Sequence, residues 1–214
     1  MRILYAIQGT GNGHVSRARD IIPILQTHGE LDLLISGTQC DVDLPYEIKY
    51  RFLGLGFVFG KKGGIDYIET YKRSNIKKLF SEINELPVHD YDIVISDFEP
   101  VSSWACYIKS KPCIGLSHQL AAINKNAPQP AKTDVIGKLV LKYYAPAKYK
   151  YGFHFLPYNN NIFTPVIRSG IRELKPENKG HYTVYLPSYS DQRIIKFLRK
   201  YAEIEWQVFS GLCG

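Results

Sequence analysis

The chain reads as an α/β protein: a Rossmann-like three-layer domain with a mostly parallel sheet, followed by the first part of a second α/β domain. Three observations predict this. Strand-type runs alternate with helical runs in the order β-α-β-β-α-β-α-β, the pattern that places parallel strands between two helical layers. Runs such as 3–7 and 92–96 are apolar without clean alternation, as expected of strands covered on both faces. A glycine-rich turn, Gly9-Thr10-Gly11-Asn12-Gly13-His14, joins the first strand to the first helix.

The elements follow in order. Residues 2–8 form the first strand. Residues 15–28 carry Ala18, Ile21, Ile22 and Leu25 at helical spacing, with Gly29 as the stop and Pro23 as a point of kinking or breakage. Residues 31–36 are a second strand, followed by the turn Gly37-Thr38-Gln39. A third strand, 47–52, is entered from Leu44-Pro45. Residues 54–64 are rich in glycine and aromatics (Gly54, Gly56, Phe57, Phe59, Gly60, Gly63, Gly64) and read as a long mobile loop of the kind that often serves function. A single long helix is expected over 67–86, with Ile68, Tyr71, Ile76, Leu79, Phe80 and Ile83 on its apolar face. The strand 92–96 leads into Asp97-Phe98-Glu99-Pro100, which opens the next helix with Pro100 in its first turn. The strand 112–117 ends at His118-Gln119. A polar loop (124–132), a helix (135–144) and a short strand (152–156) complete the first domain, 1–165.

Residues 166–180 are polar, charged and interrupted by Pro176 and Gly180, and read as a linker. Residues 181–214 hold one further β-α-β unit, with strands at 181–186 and 205–209 around a helix at 191–201. One such unit is too small to bury both faces of its sheet. The expectation is a truncated piece of a two-domain protein, ending at Gly211-Leu212-Cys213-Gly214.

Composition bounds the function. The chain has 214 residues, 45% hydrophobic and 22% charged, which is ordinary for a globular domain with a real core. No apolar run reaches the roughly 20 residues of a membrane span, and no cleavable signal precedes the glycine loop, so a cytoplasmic protein is expected. Cys40, Cys106, Cys113 and Cys213 are scattered, with no CxxC pair and no histidine cluster. They read as free thiols, mostly packed, rather than as a metal site. Part of the net charge of +7 lies in Lys125, Lys132, Lys138, Lys142, Lys148 and Lys150, interleaved with Tyr143, Tyr144, Tyr149 and Tyr151. That stretch is either a solvated face with aromatic anchors into the core or a contact for an anionic membrane surface. No nucleic-acid motif accompanies it.

Ligands of parallel sheets bind at the carboxyl ends of the strands. Three polar residues fall there: His14, Asp97 and His118. Parallel topology gathers them on one edge despite their separation in sequence. The glycine loop is not a P-loop, since no Gly-Lys-Ser/Thr follows, and its spacing is one residue short of GxGxxG, which argues against a nicotinamide dehydrogenase. No GxSxG elbow offers a hydrolase nucleophile. Each candidate carries two readings. His14 either transfers protons near neutral pH or caps the first helix. Asp97 either orients a histidine or is an N-cap. His118 is a substrate contact or a satisfied loop histidine. Glu99 is a first-turn acid or a site residue. Ser16 and Arg17 bind an anion at the helix start, or Arg17 lies on the surface.

The segment Gly9-Thr10-Gly11-Asn12-Gly13-His14 resembles the GTGGH loop of GT-B-fold glycosyltransferases, especially the family 28, MurG-like branch. The flanking strand and helix, Ile95-Ser96-Asp97-Phe98 and Ile114-Gly115-Leu116-Ser117-His118-Gln119 add to the likeness, which spans most of residues 1–165. The chain departs from the family pattern at Gln8 and Asn12, where glycines are common. The resemblance implies two Rossmann-like domains facing a cleft: an acceptor-side domain here, and a donor-binding domain beginning at 181. It implies an inverting glycosyltransferase, needing no metal or other cofactor, that moves a sugar from a nucleotide-sugar donor to a sugar or lipid-linked acceptor. His14 would be the general base and Asp97 its orienting partner. Gly11, Asn12 and Gly13 would lie against the donor diphosphate, and His118, Gln119 and Glu99 would contact substrate. The 54–64 loop would be an acceptor lid. The chain alone would be inactive, lacking most of the donor half. Two alternatives keep the fold: a non-catalytic ligand-binding domain and a nucleotide-sugar epimerase.

Overall fold

Residues 1–38, 40, 42–58, 66–129, 134–186 and 189–209 are described by a computed structural model. Strand β1, Arg2–Gln8, is buried over all but its first residue, and everything else in the larger sheet is arranged around it. It pairs in parallel with β2 (Glu30–Ser36) on one side and with β4 (Ile93–Asp97) on the other. The full order is β3-β2-β1-β4-β5-β6-β7, with β3 at Tyr50–Phe52, β5 at Ile114–Ser117, β6 at Tyr149–Phe153 and β7 at Ile162–Phe163. Every pairing is parallel. The chain runs outward from β1 through β2 to β3, then returns to lay β4 on the other side of β1. The strand order therefore reverses between β1 and β4, which makes their carboxyl ends the place where a crevice opens.

Alternate residues of β1 serve two cores. Ile3, Tyr5 and Ile7 pack with Val15, Ala18, Ile21 and Ile22 of helix α1 (Asn12–Gln26). Leu4 and Ala6 pack with Leu79 and Ile83 of α3 (Ile76–Glu85) and with Val101, Ala105 and Cys106 of α4 (Pro100–Ile108). Helices thus cover both faces, the three-layer α/β arrangement expected from the element order.

Several local expectations change. Helix α1 begins at Asn12, not Val15, and runs through Pro23 to Gln26 without a break, so His14 lies in its first turn. The single helix expected over 67–86 is two, α2 (Tyr67–Arg73) and α3. Asn75 divides them because its side-chain oxygen accepts the Lys78 N–H at 3.0 Å and caps α3. Of the expected apolar face, Leu79 and Ile83 are buried, whereas Ile68, Ile76 and Phe80 are exposed. Asp97 is the last residue of β4 rather than a cap, and the cap of α4 is Glu99. The third strand shortens to three residues, and β7 was not anticipated. In the loop after β1, no glycine has a positive φ. Gly9 is required for packing instead: a Cβ there would stand 2.8 Å from Ile35 Cγ2 and 3.0 Å from the Ser36 carbonyl.

Helix α5 (His118–Ala122) follows β5 directly, and α6 (Val135–Tyr143) precedes β6. A short helix α7, Ser169–Arg172, lies in the stretch read as a linker. Residues divide into two compact units. One is Met1–Leu55 with Asn75–Arg172, which holds the seven-stranded sheet. The other is Gly56–Ser74 with Glu173–Gly214. It holds a two-stranded parallel sheet, β8 (Tyr182–Tyr185) and β9 (Trp206–Phe209), joined through α8 (Asp191–Leu198). Cys40, Cys106 and Cys113 are free thiols. Residues 59–64 of the glycine–aromatic loop, Gln39 of the turn after β2, Lys132 of the basic stretch and the C-terminal Gly211-Leu212-Cys213-Gly214 lie outside the described residues.

Glu99 is fully buried and accepts the N–H groups of Val101 and Ser102 at 2.7 and 2.6 Å, and the Ser36 hydroxyl at 2.6 Å. Glu99→Ala leaves these donors unpaired. It is expected to lower unfolding free energy by about 1–2 kcal/mol, measured by urea denaturation.

Candidate functional site

The reversal of strand order brings the ends of β1 and β4 side by side, with Ile7 opposite Asp97. His14 sits in the first turn of α1, three residues before Arg17, so the two side chains share a helix face. Both reach Asp97. His14 Nδ1 is 2.8 Å from Asp97 Oδ1. Arg17 grips the same carboxylate in a fork: Nε donates to Oδ2 at 3.2 Å, and Nη2 donates to Oδ1. From beneath, Tyr5 donates its hydroxyl to Oδ2 at 3.3 Å. Asp97 has no solvent exposure, Arg17 is 8% exposed and the His14 side chain 15%. The fork on a buried carboxylate places Arg17 in the interior, correcting its readings as an anion contact or a surface residue.

Burial pushes the Asp97 carboxyl upward, but the neighbouring His14 and Arg17 more than reverse this and hold it below the usual range. Asp97 is thus a carboxylate, and an oxygen 2.8 Å from an imidazole nitrogen requires a hydrogen between them. That places a hydrogen on Nδ1, and in the neutral form of the ring the lone pair is then on Nε2. Gln119 lies on that side: its Nε2 stands 3.3 Å from His14 Nε2. Gln119 Oε1 is buried with no partner among the described residues. His118 opens α5 beside it, with Nδ1 3.1 Å from the Phe153 carbonyl. Burial, then the nearby Arg17, push the His118 imidazole below its ordinary value.

Of the residues singled out in the sequence, the structure therefore assembles His14, Asp97 and Gln119 in contact, with His118 adjacent. Gly11 and Gly13 lie at the N-terminus of α1, where a Cβ would meet nothing within 4 Å, and Asn12 is the first residue of that helix. Glu99 is the exception, because its oxygens are taken up by the cap of α4 and by Ser36. A buried cap has no face for a substrate. Burial raises its pKa, partly offset by those hydrogen bonds.

The backbone explains why two carboxylates two residues apart diverge. Phe98 between them adopts a left-handed conformation, φ 55°, a state that costs about 1–3 kcal/mol. Its ring stacks on Tyr144, centroids 4.8 Å apart. Tyr144 also bonds the Gln8 side chain at 2.8 Å and donates to the Leu55 carbonyl. Sequence reasoning missed this support and the Arg17 fork. The three-residue spacing of His14 and Arg17 was the one available signal for the fork.

Asp97→Asn leaves the Arg17 guanidinium buried without its counter-charge and is expected to cost about 3–5 kcal/mol. The pH dependence has a definite sign. A carboxyl held below its unfolded value, near 3.9 for Asp, contributes stability fully above that pH and loses it as pH falls through the lower, folded value. The parent should therefore lose a component of stability below about pH 3.9 that Asp97→Asn lacks, measured by denaturant titration across pH.

Comparison with known proteins places the chain. A search of curated protein sequences returns no match. Among solved structures, the chain is similar to the crystal structure of MurG from Acinetobacter baumannii, at 16% identity and a TM-score of 0.47, over 100% of this chain and 61% of that one. The chain thus spans about three fifths of the length of that relative. A family model described as glycosyl transferase family 1 matches residues 1–212. On that match, which takes in nearly the whole sequence, the chain belongs to glycosyl transferase family 1.

Proposed function

We propose that this chain is the acceptor-side part of an inverting, metal-independent glycosyltransferase that uses a nucleotide-sugar donor. The single observation that carries the reading is the buried Asp97 carboxylate 2.8 Å from His14 Nδ1, at the carboxyl ends of β1 and β4; in the proposal the ring is neutral and Nε2 takes the proton. The acceptor hydroxyl displaces Gln119 from Nε2 and attacks the anomeric carbon from the face opposite the leaving group. The new C–O bond forms as the bond to the nucleoside diphosphate breaks, and its electron pair leaves with the diphosphate. The hydroxyl proton passes to His14 Nε2, and Asp97 holds the ring through its Nδ1 hydrogen. Gly11, Asn12 and Gly13 offer the open first turn of α1, whose N–H groups suit a diphosphate. Gln119 and His118 contact the acceptor. In this reading residues 1–165 form the acceptor-side domain, 166–180 the linker, and 181–214 belong to the donor-binding domain.

The acceptor is a sugar or a lipid-linked sugar, and the protein works at the cytoplasmic face of a membrane. No described helix is long and apolar enough to cross one. What supports surface contact is α6, which has no buried residue: Val135, Ile136, Leu139 and Tyr143 are each at least 50% exposed, beside Lys138 and Lys142. Apolar side chains among lysines suit an anionic interface. Of the tyrosines expected to anchor this stretch, only Tyr144 is buried, while Tyr143 and Tyr149 are exposed.

In the enzyme that contains this chain, His14→Ala is expected to reduce nucleoside diphosphate release on sugar transfer by at least about 100-fold, with an unchanged circular dichroism spectrum. Turnover at the parent rate rejects the base assignment and favours a non-catalytic binding domain. Transfer should continue in the presence of a chelator. Sedimentation with phosphatidylglycerol vesicles should be lost in Leu139→Glu/Lys142→Glu and kept in the parent.

A further inference from the structure

Arg17 stands outside the proton-transfer scheme, yet it is bound more closely to the His14–Asp97 pair than any other residue. Its fork occupies both oxygens of Asp97. Its Nη2 also lies 3.0 Å from His14 Nδ1, although that nitrogen, already carrying a hydrogen toward Asp97, cannot accept from it. The contact brings a cation against the ring at the edge where the imidazolium charge would gather. Arg17 is held there by the Phe153 ring, 5.3 Å from its Cζ. The Arg17–Asp97 ion pair is largely shielded from water, since Arg17 is 8% exposed and Asp97 not at all.

These contacts have a chemical consequence. A histidine beside an isolated carboxylate is pulled toward the doubly protonated form, in which it is no base. Here the carboxylate is already neutralised by the guanidinium, so the ring faces an ion pair of no net charge together with the near end of a cation. We infer that Arg17 is a positioning residue for His14: it fixes the direction of the Asp97 carboxylate and cancels its charge, so that the imidazole stays neutral with the lone pair on Nε2. The inference rests on the reading of His14 as the base. The other groups around the His14–Asp97 pair are Tyr5 from β1, which bonds Asp97, and His118 and Gln119 from α5. Tyr5 is kept neutral, its pKa raised well above the ordinary value by burial and by Asp97. His118 is disfavoured from charging by burial and by Arg17. Arg17 is the one permanent cation in this group.

The test needs no sugar substrate, so its outcome is separate from that of the transfer assay. The whole chain is labelled with ¹⁵N-histidine, the His14 ring signals are assigned by their loss in His14→Gln, and both ring nitrogens are read at pH 7. The parent is expected to show one protonated nitrogen, Nδ1, and one lone-pair nitrogen, Nε2. In Arg17→Gln the doubly protonated fraction is expected to rise about twofold or more. Arg17→Met, which keeps an apolar stem against Phe153, carries the same expectation should the glutamine variant not fold. Arg17→Lys, retaining the charge without the fork, should stay near the parent fraction. Arg19→Gln, on the same helix with its guanidinium on the Asp43 carbonyl, should leave the His14 signals in place. An unchanged ring pattern in a folded neutral variant, or a lysine variant that behaves like the neutral ones, overturns the proposal.

Discussion

A single buried carboxylate organises this protein. Asp97 has no contact with solvent and accepts hydrogen bonds from His14, Arg17 and Tyr5. A charge in the interior is tolerated only when it is paired and hydrogen-bonded. Its donors come from β1 and α1, whereas Asp97 ends β4, so satisfying it ties the first β-α unit of the chain to the strand that returns across it. This happens where the strand order reverses, the one position at which two neighbouring strands send their following segments apart and leave an opening. The electrostatic demand of the carboxylate and the geometry of the crevice therefore coincide.

The segment after Asp97 shows how local strain is put to use. Within three residues the chain must end a strand, aim one carboxylate at α1 and aim a second at the N-terminus of α4. The left-handed Phe98 achieves the separation. Its ring is stacked on Tyr144, which in turn is bonded to Gln8 at the end of β1. The cost of the backbone conformation is thus opposed by packing and hydrogen bonds from a distant helix end. Asp97 is left facing the crevice while Glu99 becomes a structural cap.

Membership of glycosyl transferase family 1 gives this arrangement its context. His14, held on its buried carboxylate, has an adjacent amide from Gln119 and lies in the first turn of α1. Helix α6 of the same unit leaves its apolar side chains exposed among lysines. Neither feature depends on the glycines of the first loop being conformationally special. Gly9 is needed because β2 passes close by, whereas a Cβ at Gly11 or Gly13 would meet nothing within 4 Å.

The amino-acid sequence by itself determined the alternation of strands and helices, the limits of the first strand and the parallel α/β class. It also determined that His14, Asp97 and His118 would arrive at one edge, because hydrophobic period and strand direction are local properties that a linear pattern carries. It did not determine which acid caps α4, since Asp97 and Glu99 are both competent caps and only the turn at Phe98 selects between them. Nor did it reveal the break at Asn75, where a side-chain cap overrides a continuous helical pattern. The fork of Arg17 on Asp97 joins residues 80 positions apart, and the bond from Gln8 to Tyr144 joins residues 136 apart. Only the tertiary structure decides such pairs, because they depend on which strands become neighbours and on what remains to neutralise a charge once water has been excluded.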